Sequence, residues 1–278
     1  MSIFIGEYND LFFERDTPQG WYLTDNEGND VLLPNKYCPN YAEQGMPISV
    51  FVYRDSLERP VATTLEPKLT LYRFAYLEIV DTSRLGAFAD FGMEKHLFIP
   101  YKEMHERIQP GEWAVIFMFL DSVTDRLVGS ARVTKWLDRE NVDLPRGKKV
   151  QMMCFDTNEV GYKMIVDGQF QGILYKNEVF QPIELGEIYE GFVRTIRENG
   201  HIDLSLTALG RGKIPTASEN ILKAIKDNQG FLPLHDKSTP EEIMDALQMS
   251  KKSFKEALGK LYRERAIEIL EDGIRLLK

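Results

Sequence analysis

Along the first 213 residues, apolar positions fall in short runs about ten residues apart, divided by Gly, Pro and Asn. That spacing predicts β-strands folded into barrels or sandwiches. The first stretch, Ile3 to about Glu66, holds Gly20-Trp21-Tyr22-Leu23, a turn at Asn26-Glu27-Gly28-Asn29, Val31-Leu32-Leu33-Pro34, Ile48 to Tyr53 and Val61 to Thr64. The second, Lys68 to Asp138, opens on Ala75 to Val80. It continues through Gly86-Ala87-Phe88-Ala89-Asp90-Phe91-Gly92, Leu97-Phe98-Ile99-Pro100 and Gly111 to Phe117, and closes between Asp121 and Ser130. The third, Arg139 to Gly212, repeats the order with Gly161 to Val166, Gly172 to Tyr175, Gly186, and Gly200 to Leu206. In the last two stretches a short non-β piece (Tyr101 to Ile108, Asn177 to Pro182) separates the third strand from the fourth. Five strands with that interruption predict OB-type barrels.

The period changes after Ile214. Thr216-Ala217-Ser218-Glu219 and Thr239-Pro240-Glu241-Glu242 are capping boxes ahead of apolar positions at helical spacing. Gly230 stops the first of these helices. Ser250 caps a third, in which Phe254, Ala257, Leu258, Leu261 and Tyr262 form one stripe. Ile267-Glu268-Ile269-Leu270 and Ile274-Arg275-Leu276-Leu277 flank a turn and predict a β-hairpin. The expected architecture is multidomain and mainly β. Three tandem five-stranded barrels occupy 1–66, 67–138 and 139–213, and a winged helix-turn-helix occupies 214–278.

Composition changes this picture little. The two cysteines, Cys38 and Cys154, fall in different segments and predict free thiols in a reducing cytosol. The N-terminus has no basic region of a signal peptide, and no apolar run reaches bilayer length. A soluble cytoplasmic protein with no membrane partner is expected.

Charge pulls the other way. The net charge of −9 opposes nucleic-acid binding, whose affinity comes largely from phosphate neutralisation. The segment from Ile214 is neutral, so the acidic excess lies wholly in residues 1–213. Basic residues must then converge locally, and binding should be modest and salt-sensitive.

Base stacking on aromatic side chains of a small barrel is the chemistry the repeat suggests. Phe88 and Phe91 are the stacking candidates of the second barrel, although strict alternation puts them on opposite faces unless the strand bends near Gly92. Lys95, His96 and Arg126 can meet phosphates or base edges at its mouth. In the third barrel the aromatics are Tyr162, Phe170 and Tyr175, the cations Lys163, Lys176, Arg194 and Arg197, with His201 after the turn. Each of these also fits an ordinary core ring or a solvated loop charge. Trp21 and Tyr22 make the weakest set, in the first barrel. Lys251, Lys252, Lys255, Lys260 and Arg263 lie largely off the apolar stripe of the third helix, where a helix-turn-helix reads DNA. Pairing with Glu256 and Glu264 accounts for them equally well. The four histidines are scattered, and no metal-ligand spacing, phosphate-cradling Gly loop or nucleophile elbow is found. No catalytic residue, metal or cofactor is therefore expected.

Three stretches carry a resemblance: Gly86 to Lys95; Arg197 to Leu206; and Asp236-Lys237-Ser238-Thr239-Pro240-Glu241 with Met249-Ser250-Lys251-Lys252. Through them the chain resembles the conserved virulence factor B family of bacterial proteins over essentially its whole length. The resemblance implies three S1-type RNA-binding barrels, a winged helix, and a role as an RNA-binding regulator of gene expression. Carried over by position, it implies Phe88, Phe91, Asp121 and Arg126 in the second barrel and Tyr175 in the third as the nucleic-acid face. Ile99 stands at the strand-three His position, and Lys163 replaces the first aromatic of the third barrel. The expected partner is single-stranded RNA. Duplex DNA on the winged helix, or a protein of the translation or transcription machinery, are the alternatives.

Overall fold

The computed structural model describes residues 3–140, 142–179, 181–208, 217–228 and 230–277. The first barrel comprises β1 (Tyr8–Thr17), β2 (Gly20–Thr24), β3 (Asp30–Pro34), β4 (Pro47–Arg54) and β5 (Pro60–Thr63). The second comprises β6 (Phe74–Thr82), β7 (Gly86–Ala89), β8 (Leu97–Pro100), β9 (Trp113–Leu120) and β10 (Leu127–Ser130). The third comprises β11 (Lys149–Thr157), β12 (Gly161–Val166), β13 (Phe170–Tyr175), β14 (Ile188–Ile196) and β15 (Ile202–Ser205). All three close in the same order, first, second, third, fifth, fourth, with the third and fifth strands parallel. A single 3₁₀ turn follows each third strand, at Asn35–Tyr37, Tyr101–Glu103 and Lys176–Glu178.

Two devices repeated in the sequence explain the closure. The first strand of each barrel carries a bulge, between Phe13 and Arg15, Ile79 and Asp81, and Cys154 and Asp156. A bulge bends and twists a strand, so one end pairs with the second strand and the other with the fourth. The second strand always opens on glycine. A Cβ at Gly20, Gly86 or Gly161 would sit 2.1, 2.2 or 2.5 Å from the carbonyl oxygen of Leu33, Ile99 or Leu174. The strand pair closes only without a side chain there.

The barrels pack through named side chains. Phe51, Tyr53 and Val61 of the first barrel share a core cluster with Leu77, Ile79 and Ile99 of the second. Burial pushes the Tyr53 hydroxyl up to about 12. Between the second and third barrels, Val115, Val133 and Leu137 meet Ile165, with Tyr76 and Phe155 alongside.

The C-terminal domain has its own core, built on Ile221, Ile243, Phe254, Leu258 and Ile274. It runs α1 (Ala217–Asp227), β16 (Phe231–Leu232), α2 (Pro240–Leu247), α3 (Lys251–Arg263), β17 (Ile267–Ile269) and β18 (Ile274–Leu276), with sheet order β16-β18-β17. This is a winged helix. The capping box of α2 is complete: Glu242 N–H donates to Thr239 Oγ1 at 3.2 Å, and Thr239 N–H donates to the Glu242 carboxylate at 2.7 Å. Ser250 caps α3 by accepting from Ser253 N–H at 3.1 Å. Thr216, expected to cap α1, lies outside the described residues. Two local expectations are corrected. Tyr262 is not in the apolar stripe of α3 but 57% exposed, because the domain covers only the Phe254, Ala257, Leu258 and Leu261 side. The sheet also gains β16, a two-residue strand too short for any sequence period to reveal.

Candidate nucleic-acid interface

Registers place equivalent positions of the three barrels side by side. Taking the leading glycine of the second strand as origin, Tyr22 pairs with Leu32, Phe88 with Phe98, and Lys163 with Ile173. Only the second barrel presents two aromatic rings there. The centroids of Phe88 and Phe98 are 5.3 Å apart and tilted 44°, and both rings are half-buried. Alternation explains the exposure: Leu97 and Ile99 turn inward, at 2% and 0% exposure, so Phe98 between them turns out. The position that the resemblance assigns to strand three, Ile99, is core; the outward-facing position is its neighbour Phe98. The signal was the inward pair Leu97 and Ile99 flanking it.

These rings border a groove of about 470 Å³ between the first and second barrels. Tyr53, Phe91, Lys95, His96 and Arg126 line it as well. The structure thus brings together five of the six residues expected in the second barrel. Phe91, however, is no stacking surface: it is 3% exposed and belongs to the core. Asp90 accepts the Gly92 N–H at 2.9 Å, and Gly92 adopts φ 88°. That turn folds the Phe91 ring under the groove. Asp121 lies outside it, in an adjoining recess with Phe98, Tyr101 and Phe119. Its carboxylate accepts from Thr124 N–H at 2.9 Å and Thr124 Oγ1 at 2.8 Å. Those bonds hold the Asp121 carboxyl below the usual carboxylate range. The residue organises its own turn.

All three Lys and Arg side chains of the groove are engaged. Glu58, from the β4–β5 turn, lies 3.0 Å from Lys95 Nζ and 3.2 Å from Arg126 Nε. Arg54 reaches across in the opposite sense, donating from Nε to the Asp125 carbonyl at 2.9 Å and pairing with its carboxylate.

The third barrel assembles a polar site instead. Lys163 pairs with Asp156 at 2.6 Å, and Arg194 pairs with Glu178. Tyr175 Oη donates to Asp203 at 3.2 Å, and Arg197 pairs with the same carboxylate at 2.8 Å while lying 5.9 Å from the Tyr175 ring centroid. Tyr162 alternates to the other side of β12 from Lys163 and packs against the core, so it is not a platform beside it. His201 is half-buried. Desolvation, Arg139 and Arg197 together lower its pKa, which favours the neutral ring.

In the first barrel Arg15 lies over the Tyr22 ring at 4.1 Å, and Trp21 packs on Phe13 at 4.6 Å. On α3, Lys252, Lys255, Lys260 and Arg263 are exposed and Lys251 is half-buried. Lys260 stands 4.0 Å from Glu264, and Arg263 Nε donates to the Gly259 carbonyl at 3.1 Å.

Known families agree with this architecture. Residues 5–65 match the S1 domain, and residues 219–276 match the CvfB-like winged helix domain. The chain is similar to bacterial proteins named Conserved virulence factor B. The Staphylococcus epidermidis protein of that name (strain ATCC 12228) is 25% identical over 85% of this chain and 82% of its own length. A Bacillus subtilis protein named "Uncharacterized protein YitL" is 27% identical over 93% of this chain and 89% of its own. A solved multidomain protein with nucleic acid binding domains from Streptococcus pneumoniae aligns over 98% of both chains at 20% identity and a TM-score of 0.43. No described helix is long and apolar enough to cross a membrane.

Proposed function

We propose that this chain is a non-enzymatic RNA-binding protein of the cytoplasm that acts on gene expression after transcription. It would hold single-stranded RNA on the outer faces of its barrels. The observation that carries the reading is the half-buried Phe88–Phe98 pair beside a groove lined by Lys95, His96 and Arg126. Aromatic faces at that spacing accept unstacked bases, each contributing about 1–3 kcal/mol, while neighbouring cations follow the backbone. The second barrel is the principal platform. Tyr175 and Arg197 on the third supply a smaller one, and Lys163 and Arg194 a cationic flank. Recognition by stacking and backbone contact has low sequence specificity.

Fluorescence anisotropy with labelled single-stranded RNA and duplex DNA of equal length, over a salt series, tests the proposal. Tighter RNA binding that falls on Phe88→Ala with Phe98→Ala supports it. Preference for the duplex, lost when Lys252 and Arg263 are changed to Glu, would move the function to α3. No affinity for either near 150 mM salt would favour a protein adaptor.

A further inference from the structure

Five of the six cations expected to meet phosphate on the barrel faces are already ion-paired, Lys95 and Arg126 by Glu58, Lys163 by Asp156, Arg194 by Glu178 and Arg197 by Asp203, while Lys176 lies 5.8 Å from the Tyr162 ring centroid. At the junction of the second and third barrels the situation differs. A recess of about 600 Å³ is lined by Arg132, Lys135 and Arg139 together with His105. Lys135 is held by the buried Glu103 carboxylate at 2.8 Å. The Arg132 guanidinium donates to the Lys102 carbonyl at 3.3 Å, and among the described residues neither it nor Arg139 has an ion pair. Of the carboxylates on the rim, Asp138 is occupied by the Gln169 amide at 2.7 Å, and Glu140 is exposed.

His105 and Thr134 are shared with a second recess of about 480 Å³, which contains Trp113 and Tyr76. Trp113 is 48% exposed. Its ring lies 5.4 Å from Tyr76, whose ring is in turn approached by Gly186 of the third barrel. Tyr76 is thus fixed by the junction, and Trp113 keeps a solvent-facing side. On the other flank, the β14–β15 turn touches the junction: a Cβ at Gly200 would lie 1.9 Å from the Arg139 carbonyl oxygen. Arg139 and Arg197 both act on His201. His201 therefore adjoins both the junction and the Tyr175–Arg197 face.

We propose that this junction is a second single-stranded RNA site, in which Trp113 stacks one base while Arg132 and Arg139 hold the adjoining phosphates of a strand continuing to Tyr175. An exposed indole beside unpaired guanidiniums is the combination that single-strand binding uses, and guanidinium suits phosphate by its planar donor fork. The inference rests on the RNA-binding reading but uses none of the second-barrel stacking residues.

The full chain is compared with its Arg132→Gln/Arg139→Gln, Arg132→Lys/Arg139→Lys and Trp113→Phe variants, and with Phe88→Ala/Phe98→Ala as a separate arm. Oligouridine is the probe, read by anisotropy over a salt series and by tryptophan fluorescence. The glutamine pair should weaken binding about ten-fold and flatten the log–log salt slope by about 1.4, two phosphates at about 0.7 each on a single strand. The lysine pair should keep the slope, which a merely structural role would not predict. RNA should quench tryptophan emission, and Trp113→Phe should remove most of the quench. An unchanged slope and quench in the junction variants overturns the inference. If Phe88→Ala/Phe98→Ala alone abolishes binding in that case, the barrel-face reading survives. If the junction variants lose binding and that pair does not, the junction stands and the barrel-face reading falls. Absence of any oligouridine binding by the unaltered chain overturns both.

Discussion

The second and third barrels share strand order, bulge position and leading glycine, yet they offer different chemistry at the same places. Where the second has Phe88 beside Phe98, the third has Lys163 beside Ile173. Opposite them in the first strand stand Asp81 and Asp156; in the third barrel that position becomes an ion pair, Asp156 to Lys163 at 2.6 Å. The first barrel gives a third solution, Arg15 over the face of Tyr22. One scaffold thus shows three outer faces: aromatic, ionic, and aromatic under a guanidinium. Copies of a barrel in one chain are not copies of a site, because the inward positions that close the barrel are independent of the outward ones that meet a ligand.

The difference extends to the turn after the third strand. Glu103 is buried beside Ser130, whose hydroxyl donates to it at 2.8 Å, and Lys135. Burial disfavours its charge, but these partners outweigh that and hold its carboxyl below the usual range. Its counterpart Glu178 is exposed and, among the described residues, pairs with Arg194 alone.

Substitutions that separate the two barrels sharpen this contrast. The largest effect should come from Phe88→Ala with Phe98→Ala, which should weaken single-stranded RNA binding on the order of 100-fold, from two stacking contacts of about 1–3 kcal/mol each. Lys163→Ala with Ile173→Ala should cost only a few-fold in the same anisotropy assay. Next, Glu103→Gln should destabilise the protein in denaturant melts by about 1–3 kcal/mol at neutral pH, and Glu178→Gln by less than about 0.5 kcal/mol. Because the folded-state pKa of Glu103 is depressed, its contribution is present above about pH 4 and lost as pH falls through the folded value. The Gln variant should therefore show a flatter stability profile in acid. Installing Lys163→Phe with Ile173→Phe should strengthen RNA binding up to about ten-fold by rebuilding the aromatic face on the third barrel. The smallest effect belongs to Glu58→Gln. Freeing Lys95 and Arg126 should raise affinity about three-fold, with a steeper salt dependence, since exposed ion pairs contribute at most about 1 kcal/mol.

Much of the fold was legible in the residues. Glycine-led runs marked the second strands, since no side chain fits against the facing carbonyls of Leu33, Ile99 and Leu174. The capping box at Thr239 and the N-cap at Ser250 placed α2 and α3. Site residues were harder. Lys95, His96, Arg126 and Phe88 meet in one groove, as their place in the repeat suggested. Phe91 and Ile99 depended on strand parity, which one turn at Gly92 or one residue of offset reverses. Glu58 and Arg54 come from a neighbouring barrel, and no local pattern records a contact across domains. Trp113, Arg132 and Arg139 were missed for the same reason: each lies at an edge of its own barrel, and only packing brings them together.

Photo-crosslinking of the full chain to single-stranded RNA carrying 4-thiouridine, with adducts located by mass spectrometry, tests the central claim most directly. Adducts should concentrate on residues 86–100, around Phe88 and Phe98, and exceed those on residues 161–175. Equal labelling of the two barrels, or labelling confined to α3, would contradict the assignment of the second barrel as the RNA platform.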